Sequence, residues 1–307
     1  MRGIVNINKP PGISSYDVIR QIKPVLKPKR IGHAGTLDPL GTGVLLILVN
    51  EATKVSPFLF TLPKEYEAEI RFGIQTDTDD INGRTIATAS IPQMDQKEAE
   101  AIIVRKFTGK IEQTPPRFSA LKKAGTPIYK LARQGIEFTP QTRTKTIYKL
   151  NLIKWQPPFA RLQCLVSSGT YIRSLARDIG FALNSRATLT SLVRKRIGIF
   201  NLTNAITLEP HRLPNIDLKS QLIPIERALP QIPRVLVTPE QKQMLLYGRT
   251  INIQIAPNIK PEAMNNEHSA DSKWRKIAFA FTDDNHFLAL IKISDDKARP
   301  VRLIYAD

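Results

Sequence analysis

One stretch of strict alternation between apolar and charged side chains constrains the fold of this chain most strongly. In the segment KEYEAEIRFG (residues 64–73), every second residue from Tyr66 to Phe72 is apolar, and the residues between them are charged. Successive side chains of a strand point to opposite faces, so this pattern predicts a strand with one buried and one solvated face. The Asp/Asn/Gly-rich segment TDTDDINGRT follows and predicts the turn of a β-hairpin. The chain is therefore expected to build a sheet that covers a core.

Helical and extended patterns follow one another over the first two thirds of the chain. Helices are predicted from a cap at Ser14 or Ser15 to Pro24, at 96–107, and after Gly169. Further strands are predicted at 143–155 and 160–168. The apolar stretch VLLILV (residues 44–49) fits either a buried strand or a buried helical turn. This mixed order of helices, strands and hairpins indicates an α+β domain.

A proline-dense connector and a small β-rich module are predicted at the C-terminal end. The connector covers residues 209–233 and the module covers residues 234–307. We therefore place a domain boundary near residue 233. Inside the module, the polar segment 257–273 is expected to be a mobile loop.

Cysteine usage and hydropathy restrict the class of protein. Cys164 is the single cysteine, which rules out an intrachain disulfide and a multi-cysteine metal site. The acidic turn after residue 76 fails as a calcium loop, because Gly83 at its sixth position would put Ala89 at the twelfth, where a glutamate is needed. We recognise neither a membrane-spanning run nor a secretory signal, so a cytoplasmic protein without a metal is expected.

Positive charge is concentrated in the predicted main domain. The 307 residues include 45 Lys and Arg against 27 Asp and Glu, a net charge of +18. Residues 1–233 carry +16, whereas residues 234–307 carry only +2. Within 101–161 the excess is +11. A local excess of this size attracts polyanions and favours a nucleic-acid-binding protein, although a basic surface can also serve solubility alone.

The segment GHAGTLDPLGTG (residues 32–43) is the strongest candidate for chemistry. Its four glycines let the backbone approach a ligand closely. Asp38 precedes Pro39, whose ring restricts the aspartate backbone to extended conformations. A carboxylate held in this way could act as nucleophile, base or electrostatic stabiliser, and it could equally be an ordinary turn residue. A phosphate-binding P-loop is excluded because no Gly-Lys-Ser/Thr follows.

Five segments of the chain form an ordered set of motifs. They are NKPPGISSYDV, GHAGTLDPLGTGVL, KEYEAEIRFGIQTDTDDINGRT, GKIEQTPPRFSALKKAGTPIYKLARQG and SSGTYIRSLARDIG. In the same order they resemble the motifs of the TruB family of tRNA pseudouridine synthases, and GHAGTLDPLGTGVL is similar to the family's catalytic signature. Together they extend from about residue 3 to residue 198. Thr188, in LNSRATLTSLVRKRIG, departs from the family pattern and raises a question about the packing beside the cleft.

The resemblance implies a fold, an activity and a substrate. It implies an α+β catalytic domain over residues 1–233, built on a mixed, mainly antiparallel sheet with flanking helices. An RNA-binding "thumb" is implied at about 108–140, and a small, β-rich, PUA-like domain at 234–307. A monomer of this family would isomerise a specific uridine in the T-loop of transfer RNA to pseudouridine, flipping the base and re-forming its bond to the sugar. The reaction needs no cofactor.

The resemblance also assigns roles to individual residues. It makes Asp38 the catalytic carboxylate, Arg173 its partner, and Tyr66 the ring that stacks on the target base. His33 would fill the gap that the flipped base leaves. The remaining predicted RNA contacts are Lys9, Arg117, Lys122, Lys123, Lys130 and Arg133. Without the resemblance, Tyr66 would be taken for a core residue of an amphipathic strand, and Arg173 could be an exposed helix residue.

Three other functions fit parts of the same pattern. A non-catalytic RNA chaperone would use the same basic surface, but it would not need Asp38, Tyr66 and Arg173 together. A guide-RNA-dependent pseudouridine synthase subunit generally lacks the thumb half GTPIYKLARQG that this chain has. A structural ribosome-associated protein would be expected to carry long basic tails. The sequence leaves open whether Asp38 attacks the sugar directly or removes a proton beside it.

Overall fold

The protein is described by a computed structural model that covers residues 1–118, 140–208, 217–253, 276–282, 284 and 286–304, with the backbone of 122–123 and 126–127. The helices are α1 (Ser15–Leu26), α2 (Ser56–Thr61), α3 (Gln96–Phe107), α4 (Ile172–Ala182), α5 (Ile225–Ala228) and α6 (Pro239–Leu246). Two short 3-10 helices cover Asn50–Val55 and Leu202–Asn204. The strands of the main domain are β1 (Gly3–Lys9), β2 (Ile31–Ala34), β3 (Thr42–Val49), β4 (Lys64–Phe72), β5 (Ile74–Thr76), β6 (Thr85–Thr88), β7 (Gly109–Gln113), β8 (Lys122–Lys123), β9 (Thr126–Pro127), β10 (Arg143–Gln156), β11 (Phe159–Val166), β12 (Ala187–Ile197), β13 (Phe200–Asn201) and β14 (Ile206–Thr207).

A ten-stranded sheet forms the main domain. Its order is β14-β1-β3-β12-β4-β11-β10-β7, with β13 paired to β12 and β2 paired to β3. Only the β1–β14 and β3–β12 pairs are parallel, and the other described pairs of this sheet are antiparallel. The predicted α+β class with a mixed, mainly antiparallel sheet is therefore confirmed.

A second sheet of five strands forms the C-terminal module. Its strands are β15 (Arg234–Val237), β16 (Ile251–Asn252), β17 (Ile277–Thr282), β18 (Phe287–Ser294) and β19 (Lys297–Leu303), in the order β15-β17-β18-β19-β16. One apolar cluster joins the two sheets, with Leu46 of β3 and Phe279 of β17 among its buried members. Across the same junction, Lys54 donates a hydrogen bond to the Leu303 carbonyl. The module therefore packs directly on the main domain. The predicted loop 257–273 lies outside the described residues.

The strand predictions match the structure, and one helix end does not. The alternating segment forms β4, and Tyr66, Ala68, Ile70 and Phe72 are buried on one face. The ambiguous stretch VLLILV is a strand, β3. The prediction that Pro24 ends α1 is wrong, because the helix continues to Leu26. It ends where Lys27 takes a left-handed conformation (φ 46°) and donates its N–H to the Lys23 carbonyl.

Candidate active site

The segment 35–41 connects the antiparallel strands β2 and β3 and is held from several sides. The Ser15 hydroxyl bonds both backbone groups of Leu37, accepting from its N–H at 2.9 Å and donating to its carbonyl at 3.0 Å. The Gly12 N–H donates to the Pro39 carbonyl at 2.9 Å. These bonds immobilise the backbone on both sides of Asp38. A carboxylate on such a segment is positioned before any substrate arrives.

The guanidinium of Arg194 hydrogen-bonds to the start of the same segment. Arg194 is almost fully buried, and it donates to the carbonyls of Val44 at 2.7 Å, Gly35 at 3.0 Å and Thr36 at 3.3 Å. Gly43 packs against the Arg194 backbone with φ +100°, and a Cβ there would lie 2.3 Å from the Arg194 carbonyl oxygen. A glycine is therefore required at this position by both conformation and contact.

Asp38 forms an ion pair with Arg173 of α4. The Arg173 Nε donates to Asp38 Oδ2 at 2.8 Å. The Arg173 side chain is only 6% exposed, whereas that of Asp38 is 36% exposed. A cation in the first turn of a helix opposes the helix dipole, and the Asp38 carboxylate compensates for this. The structure thus brings together two residues that the sequence separates by 135 positions.

Further contacts fix the orientation of the Arg173 guanidinium. Its Nη1 donates to the Thr78 carbonyl at 2.9 Å and lies 3.7 Å from Asp80 Oδ2. Its Nη2 donates to the Phe118 carbonyl at 3.0 Å. Arg173 therefore ties the Asp38 segment to the β5–β6 hairpin and to the start of the predicted thumb. The planar fork of an arginine suits this many fixed acceptors better than a lysine would.

A pocket of about 240 Å³ opens beside the Asp38–Arg173 pair. The side chains that contribute its chemistry are Asp38, Lys64, Tyr66, Tyr171, Arg173 and Arg194. Tyr66 lies on the buried face of β4 and is 8% exposed. The register of the sheet places it directly between Cys164 of β11 and Arg194 of β12. Tyr66 is thus at once a core residue and part of the pocket wall.

Two buried lysines near the pocket bind backbone carbonyls. Lys64 donates to the carbonyls of Phe60 at 2.5 Å and Leu62 at 2.6 Å, and burial lowers its pKa to about 7. Lys9 donates to the carbonyls of Pro10 and Ile13 at 2.8 Å each, and burial lowers its pKa to about 8. Lys9 has no exposed surface, so the expectation that it contacts RNA is wrong for this structure. Its ammonium instead fixes the chain beside the Asp38 segment.

Sequence reasoning assigned no role to Lys64 or Arg194. The alternation of β4 could have identified Lys64. It is an even-numbered residue like Tyr66, Ala68 and Ile70, and therefore lies on the same, buried face of the strand. A lysine on an otherwise apolar face needs a specific partner. Arg194 was harder to recognise, because strand β12 has a bulge on each side of Leu192 that disturbs its alternation.

His33 lies on β2 and is not part of the pocket wall. Its Nδ1 is buried without a hydrogen-bond partner among the described residues. Burial lowers the pKa of His33, and the nearby Arg194 lowers it further. The imidazole is therefore held in its neutral form more readily than a free histidine. The contact that the sequence resemblance implies, with the space left by a flipped base, stays a prediction.

The predicted thumb contacts are only partly covered by the structure. Arg117 is exposed and lines a second cavity of about 330 Å³ beside Arg177 and Asp79. Lys122 and Lys123 form a short strand whose side chains are outside the described part of the chain. Lys130 and Arg133 lie entirely outside it.

The departure at Thr188 is accommodated by hydrogen bonding. Thr188 is fully buried on β12, and its hydroxyl lies 3.0 Å from that of Thr76. The Thr76 hydroxyl in turn donates to the Asp80 carbonyl at 2.6 Å. The threonine therefore links β12 to the turn that carries Asp80, and the packing beside the cleft is intact.

The described residues offer neither a metal-binding cluster nor a membrane-spanning helix. No group of three or more His, Cys, Asp or Glu side chains within the described ranges is placed to hold a metal ion. Among the helices that the structure describes, none is long and apolar enough to cross a bilayer.

Comparison with known proteins identifies the family. The profile of the TruB family pseudouridylate synthase N-terminal domain matches residues 23–172. The chain is 37% identical over 303 residues to the tRNA pseudouridine synthase B of Clostridium kluyveri, covering 99% of both chains. The chain belongs to the TruB family of pseudouridylate synthases. A second TruB relative, the tRNA pseudouridine synthase B of Syntrophotalea carbinolica, is 40% identical over 250 residues, covering 81% of both chains.

Solved structures show that the fold of this TruB protein is shared with more distant proteins. The crystal structure of a Cbf5-Nop10-Gar1 complex contains a chain that matches with a TM-score of 0.71 and 23% sequence identity. The match covers 99% of this chain and 85% of that one. A chain in an H/ACA RNP bound to a substrate RNA containing 2'-deoxyuridine matches with a TM-score of 0.68 and 22% identity, covering 99% of this chain and 85% of that one. At these identities the likeness concerns the fold alone.

Proposed function

We propose that this pseudouridine synthase acts on transfer RNA and isomerises one uridine of the T-loop, with Asp38 as its catalytic carboxylate. The bond between uracil N1 and the ribose C1′ breaks, and a bond between uracil C5 and C1′ forms in its place. The proton on C5 is lost and N1 gains one, so the reaction is an isomerisation that needs no co-reactant. The curated relatives named tRNA pseudouridine synthase B support transfer RNA as the substrate.

The Asp38–Arg173 pair at the pocket is the observation that carries the assignment. A partly exposed carboxylate, held at 2.8 Å by a buried arginine, faces a pocket with an aromatic ring in its wall. Stacking on Tyr66 would stabilise a base that has left its RNA stack, and this offsets part of the cost of flipping, a few kcal/mol. Asp38 can then act on C1′ directly or on a proton beside it. The geometry is compatible with both steps.

Two further expectations belong to the same proposal. Residues 108–140 contact the T-arm, since the basic excess of the chain is greatest around them. The enzyme works as a cytoplasmic monomer, and light scattering of the purified protein would test its oligomeric state.

The proposal is tested with an unmodified transfer RNA transcript. Wild type, Asp38→Asn and the control Asp296→Asn, an exposed aspartate of the C-terminal module, are incubated with the RNA. Pseudouridine is mapped by carbodiimide-dependent primer-extension stops, and binding by filter retention at one salt concentration. We expect a single T-loop stop for wild type and Asp296→Asn, and none for an Asp38→Asn protein that still binds.

Three outcomes would contradict the proposal. A stop that persists with Asp38→Asn removes Asp38 from the catalytic step. A wild-type protein that binds the transcript but leaves no stop points to an RNA chaperone. Activity that appears only when a guide RNA is added would favour a guide-dependent enzyme over a stand-alone one.

A further inference from the structure

Positive charge is unevenly compensated around the pocket. Among the cations of the pocket wall, Arg173 is matched by Asp38 and lies 3.7 Å from Asp80. Lys64 and Arg194, in contrast, hydrogen-bond only to backbone carbonyls among the described residues. The pocket wall therefore carries two cations, Lys64 and Arg194, whose charge no described carboxylate neutralises by an ion pair.

Lys64 and Arg194 converge on Gly35, at the start of the Asp38 segment. A Cβ built on Gly35 would lie 3.8 Å from Arg194 Nη1 and 4.0 Å from Lys64 Cε. Lys145 adds a third cation behind the 167–170 segment, where its ammonium donates to the Ser168 carbonyl at 3.0 Å. The lowered pKa of Lys64, caused by burial and then by Arg194 and Lys145, reflects the same surplus of cations.

The ammonium of Lys64 has hydrogen-bonding capacity left for a ligand. An ammonium group has three N–H donors, and the carbonyls of Phe60 and Leu62 take two of them. Only 5% of the residue surface is exposed, yet Lys64 contributes to the pocket wall. Burying a cation is costly unless an anion compensates for it. Within the described part of the chain, no carboxylate lies within ion-pair distance of it, so the missing anion is expected to come from the ligand.

The chemistry of a nucleotide identifies this anion. The uracil base and the ribose are neutral, and the phosphates are the charged groups of an RNA strand. When a nucleotide turns its base into the pocket, the phosphates on either side of it lie at the pocket mouth. Resting on the proposed function, we infer that Lys64 binds a backbone phosphate adjacent to the target uridine, with Arg194 and Lys145 reinforcing the field.

A purely structural role for Lys64 is the alternative. Its two carbonyl acceptors lie at and just beyond the end of α2, so the lysine could serve only to cap that helix. A capping role predicts lower stability for a variant, but it predicts no interaction with a particular phosphate. The two roles are therefore separated by a measurement that couples the side chain to single atoms of the RNA.

The test is a thermodynamic cycle that combines the Lys64→Met substitution with the replacement of single RNA phosphates by neutral methylphosphonates. T-arm stem-loop RNAs carry one methylphosphonate, either 5′ or 3′ to the target uridine or at a remote stem position. Binding is measured by filter retention with proteins that also carry Asp38→Asn, so that no turnover occurs. For one of the two adjacent positions we expect the neutral phosphate to weaken binding about tenfold for the protein that retains Lys64 and less than about threefold for the Lys64→Met protein. The remote position should affect both proteins equally.

Two further variants test whether the coupling is specific to the position and the charge of Lys64. Lys97→Met removes an exposed lysine of α3 and should behave as the protein with an intact Lys64 does. Lys64→Arg keeps the charge and should keep part of the coupling. The inference would be overturned if the adjacent methylphosphonates weakened binding equally in the proteins with and without Lys64→Met. If Lys64→Met does not fold, the protein with an intact Lys64 still tests the contact. The contact is excluded if a methylphosphonate next to the target uridine weakens binding no more than one at the remote stem position.

Failure of this inference is distinguishable from failure of the proposed function. Wild-type enzyme is first shown to form pseudouridine in the unmodified stem-loop. If it does so and the cycle gives no coupling, Lys64 has only a structural role and the enzymatic assignment stands. If no pseudouridine forms, the assignment of function itself fails, whatever the cycle gives.

Discussion

Tyr66 of β4 lies directly opposite Arg194 of β12, so the phenol ring and the guanidinium share one face of the central strand pair. This pairing explains how a buried cation and a pocket aromatic come to stand side by side. Arg194 uses its donors on the carbonyls of Val44, Gly35 and Thr36 and so fixes the segment that carries Asp38. The central strands therefore position the Asp38 segment as well as forming the core.

Arg194→Met should lower stability strongly. The substitution removes a fully buried side chain and leaves two loop carbonyls and the Val44 carbonyl of β3 without this donor. Each unsatisfied buried group costs roughly 1–3 kcal/mol. We expect a loss of about 3 kcal/mol in the free energy of unfolding, measured by urea denaturation. Lys195→Met is the matched control, because the neighbouring lysine is 44% exposed and lies 3.9 Å from Glu67. A comparable loss for the two variants would contradict the role assigned to Arg194.

Gly43→Ala should be far more disruptive than Gly12→Ala. Both glycines have positive φ, +100° and +82°, so both variants bear a conformational cost of about 1–3 kcal/mol. Only at Gly43 would the new Cβ meet backbone, 2.3 Å from the Arg194 carbonyl oxygen, whereas nothing lies within 4 Å at Gly12. Thermal unfolding should therefore show a much larger decrease in Tm for Gly43→Ala. Equal decreases would mean that the loop moves away from β12 at little cost.

Much of the fold was predictable because short-range patterns encode it. Alternation in 64–73 indicated the buried face of β4, and helical spacing after Gly169 indicated the buried face of α4. The continuation of α1 past Pro24 was not predictable in this way. A proline removes one N–H, but the capping box of Ser14 and Asp17 and the packing of Leu26 keep the helix intact for a further half turn.

The residues that meet at the pocket were predictable only where a sequence motif identified them. Asp38, Tyr66 and Arg173 came from the family resemblance, since no local pattern relates residues on a loop, a strand and a helix. The structure corrects Lys9, whose ammonium is turned inward onto the carbonyls of Pro10 and Ile13. Whether a lysine points into the protein depends on how the following turn folds back, and here also on the distant Pro39 carbonyl at 3.4 Å, and sequence spacing reports neither.

Arg173→Lys should lower activity by about a hundredfold while leaving the fold intact. A lysine keeps the charge near Asp38, but it cannot also reach the carbonyls of Thr78 and Phe118 in the geometry of the guanidinium. Misplacement of a catalytic group by about 1 Å can cost roughly 10²-fold in rate. Single-turnover formation of pseudouridine measures the effect, and circular dichroism checks the fold. Arg186→Lys, at a cation–π contact with Phe181, is the control and should leave the rate unchanged.

Lys64→Met should change how stability depends on pH. Burial lowers the pKa of Lys64 to about 7 in the folded protein, whereas it stays near 10.5 in the unfolded chain. Between these values the unfolded state binds the additional proton, so wild type gains stability relative to the variant as pH rises from about 7 to 10.5. The gain is on the order of 1.4 kcal/mol for each pKa unit. Urea denaturation of both proteins across this range measures it, with Lys97→Met as the control whose difference from wild type should stay constant. A constant difference for Lys64→Met as well would mean that the ammonium is not desolvated in the folded state.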